Sequence, residues 1–246
     1  MALVTGGGTG IGAAISARLS DGGVRVLFGQ RTEEEVGLAT RLLARHGRHL
    51  KGLAADLSTA EGCRQLVRAA FEEWERIDIL VNNAGITGPP AIANFLEADD
   101  AHLDQVIDVN LKAAFRCARE AARLMVSSGG GVIVNIASVA AHAAQPGAAA
   151  YVASKAGLVG LTRALALELA EHSIRVVCIS PGDINTSAGS PSPSEPTGGG
   201  PWSRRTPMRR RGTPDDIAAM VEFVCSDNAG YVTGSEIVVD GGWLTY

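Results

Sequence analysis

Three residues in the stretch SVAAHAAQPGAAAYVASK, Ser138 to Lys155, carry groups that can do chemistry together: a hydroxyl, a phenol and an ammonium. Tyr151 and Lys155 stand four apart, which on a helix places both side chains on one face. Ser138 closes the apolar run GVIVNIAS, which reads as a buried strand, so its hydroxyl belongs at a strand's carboxyl end, where open α/β sheets bind ligands. A free tyrosine, with a pKa of about 10, is a poor acid or base at neutral pH, and an ammonium beside it is expected to lower that value. Such a phenol can exchange a proton with an alcohol or a ketone. Taken alone, Tyr-x-x-x-Lys also fits an exposed helix face beside an ordinary serine, so the decision rests on the elements that would position the three.

Met1 to Thr5 reads as a short strand, followed by TGGGTGIG (Thr5 to Gly12) and then by a helical pattern from AAISARL onward. Strand, glycine turn and helix form a dinucleotide-binding arrangement, in which the backbone approaches a pyrophosphate and the helix amino end stabilises its charge. The spacing is G-x-x-x-G-x-G over Gly6, Gly10 and Gly12, with Gly8, Thr9 and Ile11 between them, and a plain structural turn would look similar. A second strand, Val24 to Gly29, ends at Gln30 and Arg31. No acid lies between Phe28 and Arg31 to receive the ribose hydroxyls of NAD, and an arginine can pair with the additional phosphate of NADP. NADP(H) is therefore favoured over NAD(H), although Arg31 also fits stacking on adenine or pointing to solvent.

Further along, helices are expected over Glu33 to His46 and Thr59 to Arg76, the latter capped by Ser58 or Thr59, with a strand from Lys51 to Ala55 between them. IDILVNNAG (Ile77 to Gly85) reads as a strand running into a polar turn, where Asn82 and Asn83 either pin backbone or touch a ligand. Pro89 to Asp99 is read as a loop, and Asp100 to Ser127 as one long helix. Asn110 sits inside that helix among apolar neighbours; because asparagine is a poor interior helix residue, it is expected to hold a water or a kink. Ile174 to Ser180 is a buried strand broken at Pro181 and Gly182, a helix starts at Thr213 with Pro214 in its first turn, and Glu236 to Val239 is the last strand. Residues 187–206, rich in serine, proline and glycine, are read as a mobile substrate flap within a single domain spanning 1–246. Trp202 in that flap either caps a ligand or anchors the flap. His142 and Gln145 are expected to face the substrate, His142 being either a second acid or base or a solvent-facing loop residue.

Composition narrows the class. With 246 residues and 46% apolar content the chain can bury a full core. A net charge of −4 argues against nucleic acid or an anionic membrane as partner, and the run Arg209 to Arg211 reads as a solvated turn or a subunit contact. The four cysteines, Cys63, Cys117, Cys178 and Cys225, are far apart in sequence and suit reduced thiols in a cytoplasmic protein; no metal site is expected. No secretory signal is expected, and no stretch reaches the roughly 20 apolar residues that a membrane helix needs.

In order along the chain, TGGGTGIG (5–12), NNAG (82–85), Asn110, Ser138, Tyr151-x-x-x-Lys155, PGDINT (181–186) and YVTGSEIVVDGG (231–242) resemble the short-chain dehydrogenase/reductase family over essentially the whole length. The resemblance implies an α/β fold: one doubly wound, Rossmann-like domain with seven parallel strands flanked by helices, and a bound nicotinamide cofactor. It implies that Tyr151 is the general acid or base, that Ser138 holds the substrate oxygen, that Lys155 grips the nicotinamide ribose and lowers the tyrosine pKa, and that Asn110 steadies a water in the proton relay. By the same likeness Asp56 and Leu57 flank the adenine, Asn83, Ala84 and Gly85 line the adenosine side, Pro181 and Gly182 border the cofactor, and Ile184 and Thr186 hold the nicotinamide amide. Thr9 departs from NADP-preferring relatives, which often carry a basic residue there, so Arg31 alone supports that preference. A homotetramer, or a homodimer, is implied, with Trp243 and Tyr246 at a subunit contact. The function expected is reversible hydride transfer between the cofactor and a partly apolar carbonyl or alcohol. A non-catalytic nicotinamide-binding sensor or scaffold of the same fold, and a dehydratase or epimerase on it, are the alternatives.

Overall fold

Strands that are buried on both faces in a parallel sheet read as continuous apolar runs, and the apolar runs of this chain become the centre of the sheet. The computed structural model describes residues 1–47, 49–186 and 206–245. Its strands are β1 (Ala2–Thr5), β2 (Val26–Gln30), β3 (Leu50–Ala54), β4 (Ile79–Asn82), β5 (Gly131–Ile136), β6 (Ile174–Pro181) and β7 (Glu236–Val239). They form one parallel sheet in the order β3-β2-β1-β4-β5-β6-β7. The helices are α1 (Gly10–Asp21), α2 (Glu33–Leu43), α3 (Ala60–Trp74), α4 (Asp100–Ile107), α5 (Ala113–Ser127), α6 (Ala149–Leu169) and α7 (Pro214–Cys225). This is the single doubly wound α/β domain expected.

Alternation along each strand divides the core into two layers. Leu3, Leu27, Leu80, Ile133 and Val176 pack against Leu66 of α3, Cys117 and Ala121 of α5 and Ala166 of α6. Ala2, Val4, Val81, Val134 and Ile179 face Ile15 of α1 and Ile217 and Val221 of α7. The chain leaves β1 in one direction to β2 and β3 and in the other, through β4, to the rest of the sheet. The carboxyl ends of β1 and β4 therefore flank the switch point, where such sheets open a crevice.

Two helix ends match the reading of the sequence in detail. Thr59 Oγ1 accepts the Gly62 N–H at 3.0 Å, capping α3. Thr213 and Asp216 form a reciprocal capping box at α7, with Pro214 in the first turn. The helical run over 100–127 is continuous, as expected, and it carries a π turn, Asp108–Lys112, between α4 and α5, with Asn110 inside that turn. The arginine run is corrected in part: Arg209 is exposed in a turn, as expected, whereas Arg210 and Arg211 are tied down within the chain. The Arg210 guanidinium forks onto Asp216 at 2.7 and 2.9 Å and holds that carboxyl well below the usual range, while Arg211 grips Asp183 at 2.7 Å. The expected flap lies outside the described residues except for Thr206, and so does Trp202. Among the described residues, no helix is long and apolar enough to cross a membrane, and no group of acidic, histidine and cysteine side chains could hold a metal ion. The four thiols are unpaired, three of them buried.

Candidate active site

Along the carboxyl edge of the sheet runs a cavity of about 1230 Å³, bordered at one end by Arg31, Asp56 and Leu57 and at the other by Ser138, Tyr151 and Lys155. That exceeds the roughly 300–1,000 Å³ typical of small-ligand pockets and leaves room for a dinucleotide together with a substrate.

The glycine turn forms one wall. Gly6 and Gly10 both have positive φ, +60° and +52°, and at Gly12 a Cβ would lie 2.1 Å from the Gly6 carbonyl oxygen, so α1 approaches the turn more closely than any side chain allows. Asn83 holds that turn, its Nδ2 donating to Thr5 O and Gly6 O at 3.0 Å each, while Thr5 Oγ1 accepts the Asn83 and Ala84 N–H groups. Helices α2, α3, α4 and α7 are each closed by a capping side chain; Thr9, at the head of α1, makes no such bond. The first-turn amides of α1 thus face the cavity without a side-chain cap, and that donor set suits the pyrophosphate of a nicotinamide dinucleotide. Gly8 is placed elsewhere. It does not line the cavity, and a Cβ on it would meet Ala39 Cβ and Gln30 Nε2 at 2.4 Å, so it is a packing glycine against β2 and α2.

Most of the other expected cofactor residues meet on the same walls: Gly6, Thr9, Gly10, Ile11, Gly12, Arg31, Asp56, Leu57, Asn83, Ala84, Gly85, Pro181, Gly182, Ile184 and Thr186. Asn82 turns inward instead. Its Nδ2 donates to Asn135 Oδ1 at 2.9 Å, and Asn135 in turn reaches Thr162, a buried polar ladder that fastens β4 and β5 to α6.

Lys155 is buried, and its Nζ donates to Ile136 O at 2.9 Å, at the end of β5. Burial holds this ammonium down to about 8, with Cys178 pulling weakly the other way. Its nitrogen lies 5.7 Å from the centroid of the Tyr151 ring. The expected lowering of the phenol pKa by Lys155 is not found: burial pushes Tyr151 upward, and a hydrogen-bonding interaction with Ser138 only partly offsets it. The proton is therefore held on the phenol in the cofactor-free protein. Ser138 is itself fixed, its Oγ accepting the Ala140 N–H at 3.1 Å as the cap of a short 3-10 turn, Val139–Ala141.

Asn110 stands behind the wall. Its Oδ1 accepts the Ile86 N–H at 2.7 Å, and its Nδ2 donates to Ile86 O at 3.0 Å and Ser154 Oγ at 3.3 Å, so both amide hydrogens are engaged. The asparagine lies in a π turn, joins the loop after β4 to α6, and is 1% exposed. It positions the wall and does not itself border the cavity.

Gln145 lines the cavity, but His142 does not: its Nε2 lies 2.6 Å from Glu236 Oε1. Trp243, expected at a subunit contact, is 6% exposed and borders the cavity from within the chain, and Tyr246 lies outside the described residues. Asp240 turns the chain inward here, accepting the Gly242 and Leu244 N–H groups. Sequence reasoning missed the walls supplied by Ile86 to Gly88, Ile92, Gln105 and Val109, and it missed Glu35. The Glu35 carboxylate accepts the Arg31 N–H at 3.0 Å and pairs with the Arg31 guanidinium, bringing an acid to the end of β2 from one turn into α2. An acid four residues beyond an arginine was the available signal.

Residues 6–244 match the family model described as enoyl-(acyl carrier protein) reductase. The chain is 35% identical over 246 residues to dehydrogenase/reductase SDR family member 4 of Bos taurus, covering 100% of this chain and 88% of that one. Among solved structures it resembles a short-chain alcohol dehydrogenase of Sinorhizobium meliloti 1021, described as putative, with 40% identity, a TM-score of 0.89 and coverage of 99% and 96%. It also resembles acetoin dehydrogenase YohF of Salmonella typhimurium, with 35% identity, a TM-score of 0.89 and coverage of 100% and 96%. On likenesses that run through the glycine turn, the Ser138 turn and the Tyr151 helix alike, this chain belongs to the short-chain dehydrogenase/reductase family, NAD(P)-dependent oxidoreductases acting on carbonyl and alcohol groups.

Proposed function

We propose that the enzyme interconverts an uncharged, partly apolar ketone and its secondary alcohol, with Tyr151 exchanging the proton on oxygen. The observation that carries this reading is the convergence of Ser138, Tyr151 and Lys155 on the cavity whose opposite wall is the glycine turn. The nicotinamide cofactor supplies hydride transfer to or from the substrate carbon. Ser138 Oγ orients the substrate oxygen, and the Tyr151 phenol, kept protonated by burial, donates to it as the carbonyl is reduced. Lys155, anchored at Ile136 O, holds the ribose. Asn110 fixes the loop at Ile86 that closes the site from the α4 side. Ile92, Val109, Val139 and Trp243 give the substrate end its apolar character, and Gln105 and Gln145 provide neutral polar contacts.

NADP(H) is the proposed cofactor because Arg31, largely exposed at the rim, can turn to a ribose phosphate. Glu35 favours the second reading, NAD(H), since its carboxylate at the same rim can accept ribose hydroxyls. The family model's description names an enoyl substrate, whereas acetoin dehydrogenase is named for a hydroxyketone. A serine hydroxyl and a phenol that meet at one oxygen favour the carbonyl. We further propose a cytoplasmic location, which suits the four unpaired thiols, and a homotetramer or homodimer, supported by an apolar surface hollow of Leu111, Phe115 and Leu161; light scattering on the purified protein tests the assembly.

The test is a screen of NADPH and NADH against ketones, acetoin and a 2-enoyl thioester, followed by loss of near-ultraviolet absorbance, with Tyr151→Phe alongside. Turnover of a ketone by the wild type, falling by about 10²- to 10⁴-fold in the variant while cofactor affinity is retained, is the expected result. Cofactor binding without turnover across the panel would turn the reading towards a sensor.

A further inference from the structure

The histidine that the cavity does not use is tied to the turn that carries Ser138. That turn begins with Ser138 as its cap and ends at His142, whose N–H reaches Val139 O at 2.9 Å. A side chain secures its far end: His142 Nε2 lies 2.6 Å from Oε1 of Glu236, the first residue of β7. The Glu236 side chain is only 10% exposed, and the same oxygen accepts the Ser180 hydroxyl at 2.5 Å. The carboxylate is therefore held from β6 as well as from its own strand, and it offers the histidine a fixed post. A hydrogen bond to a largely desolvated carboxylate is charge-assisted and stronger than a neutral one.

We propose that His142 is a positioning residue for the reaction: through Glu236 it locks the Ser138 turn to β7 and so keeps the Ser138 hydroxyl in register with the Tyr151 phenol. The proposal deepens the function given above and rests on its reading of Ser138 and Tyr151. The geometry makes His142 the tether that joins this turn to a strand outside β5 and α6, the elements that carry Ser138 and Tyr151. Reactive groups must be held to within about half an ångström to work together, and a displacement of about 1 Å can cost roughly 10²-fold in rate. The turn keeps its backbone bonds when the tether is lost, so the expected effect is smaller, about tenfold.

The experiment uses the full chain, the preferred dinucleotide and the panel ketone that the wild type reduces fastest. His142→Ala is expected to lower kcat about tenfold while the dinucleotide Kd stays within about twofold. His142→Gln, which keeps an N–H donor near the position of Nε2, should restore kcat to within about threefold. Glu236→Gln should lower kcat by several-fold, and the double variant His142→Ala/Glu236→Gln should be no slower than His142→Ala alone, because both remove one contact. Wild-type kcat in His142→Ala with a lowered Tm would assign the pair to stability alone and overturn the proposal, as would equal loss in the alanine and glutamine variants. If Tyr151→Phe keeps full turnover in the same assay, the underlying reading fails, and the proposal with it.

Discussion

Lys155→Met separates what the fold prefers from what the chemistry needs. Lys155 is 3% exposed, and burial holds its ammonium down from the ordinary 10.5 to about 8. That difference corresponds to about 3 kcal/mol by which the charged form weakens the folded state at neutral pH. Methionine keeps the length and volume of the side chain and carries no charge, but it leaves Ile136 O without the bond that Nζ donates at 2.9 Å, a loss of about 1–2 kcal/mol. The variant should therefore be more stable than the wild type by about 1–2 kcal/mol at pH 7, and close to inactive. The folded pKa is the lower one, so between about pH 8 and 10.5 the unfolded chain holds a proton that the folded chain has released, and wild-type stability rises with pH. Below that window both states are protonated and the full penalty applies. It falls to about 2 kcal/mol at pH 9 and about 1 kcal/mol at pH 10, so the advantage of the variant should vanish or reverse by pH 10. Urea unfolding of both proteins without cofactor, at pH 7, 9 and 10, measures this directly. A variant that is less stable at pH 7, or a difference that does not change with pH, would refute the reasoning.

The same burial keeps the Tyr151 phenol protonated through neutral pH, so ketone reduction should be little changed from about pH 6 to 8, while alcohol oxidation, which needs the phenolate, should climb with alkaline pH. Equal oxidation rates at about pH 7 and pH 9.5 would contradict this. Gly12→Ala places a methyl group 2.1 Å from Gly6 O and 2.5 Å from Asn83 Nδ2, so the turn must open. A rise of about tenfold or more in dinucleotide Kd is expected by fluorescence titration, and unchanged binding would free the turn from a cofactor role. Arg31→Ala should raise KM for NADPH by about tenfold and spare NADH, whereas Glu35→Gln should weaken NADH; steady-state kinetics with both cofactors that shift in neither variant would reject both contacts.

The parallel sheet explains what was legible in the sequence. β1, β4, β5 and β6 are buried along nearly their whole length, so burial is written into each as a largely apolar run, and the polar residues after those runs gather at one edge. Ser138, Asn83 and the glycine turn could be placed from that rule alone. What could not be read depends on partners that are distant in the chain. Glu236 lies 94 positions from His142, and no local pattern says that this histidine turns away from the cavity to meet it. Trp243 looked like an exposed end because it stands near the last residue, but the Asp240 carboxylate folds the segment inward. Asn110 was marked as anomalous by its neighbours, yet the partners that satisfy it, Ile86 and Ser154, lie 24 and 44 positions away in the chain.

The pair at the centre shows the same boundary. A spacing of four places Tyr151 and Lys155 on one helix face, and from charge alone the ammonium should acidify the phenol. The face is buried, however, and burial opposes ionisation of both groups, raising the phenol and lowering the ammonium. Proximity can be read from the sequence; the dielectric around it comes from Ile136, Ser138 and the rest of the wall. The free protein thus stores two groups in their uncharged or reluctant forms. A bound dinucleotide, which excludes water and brings hydroxyls and phosphates of its own, changes that balance, so the pH dependence of turnover should differ from that of stability in the cofactor-free chain.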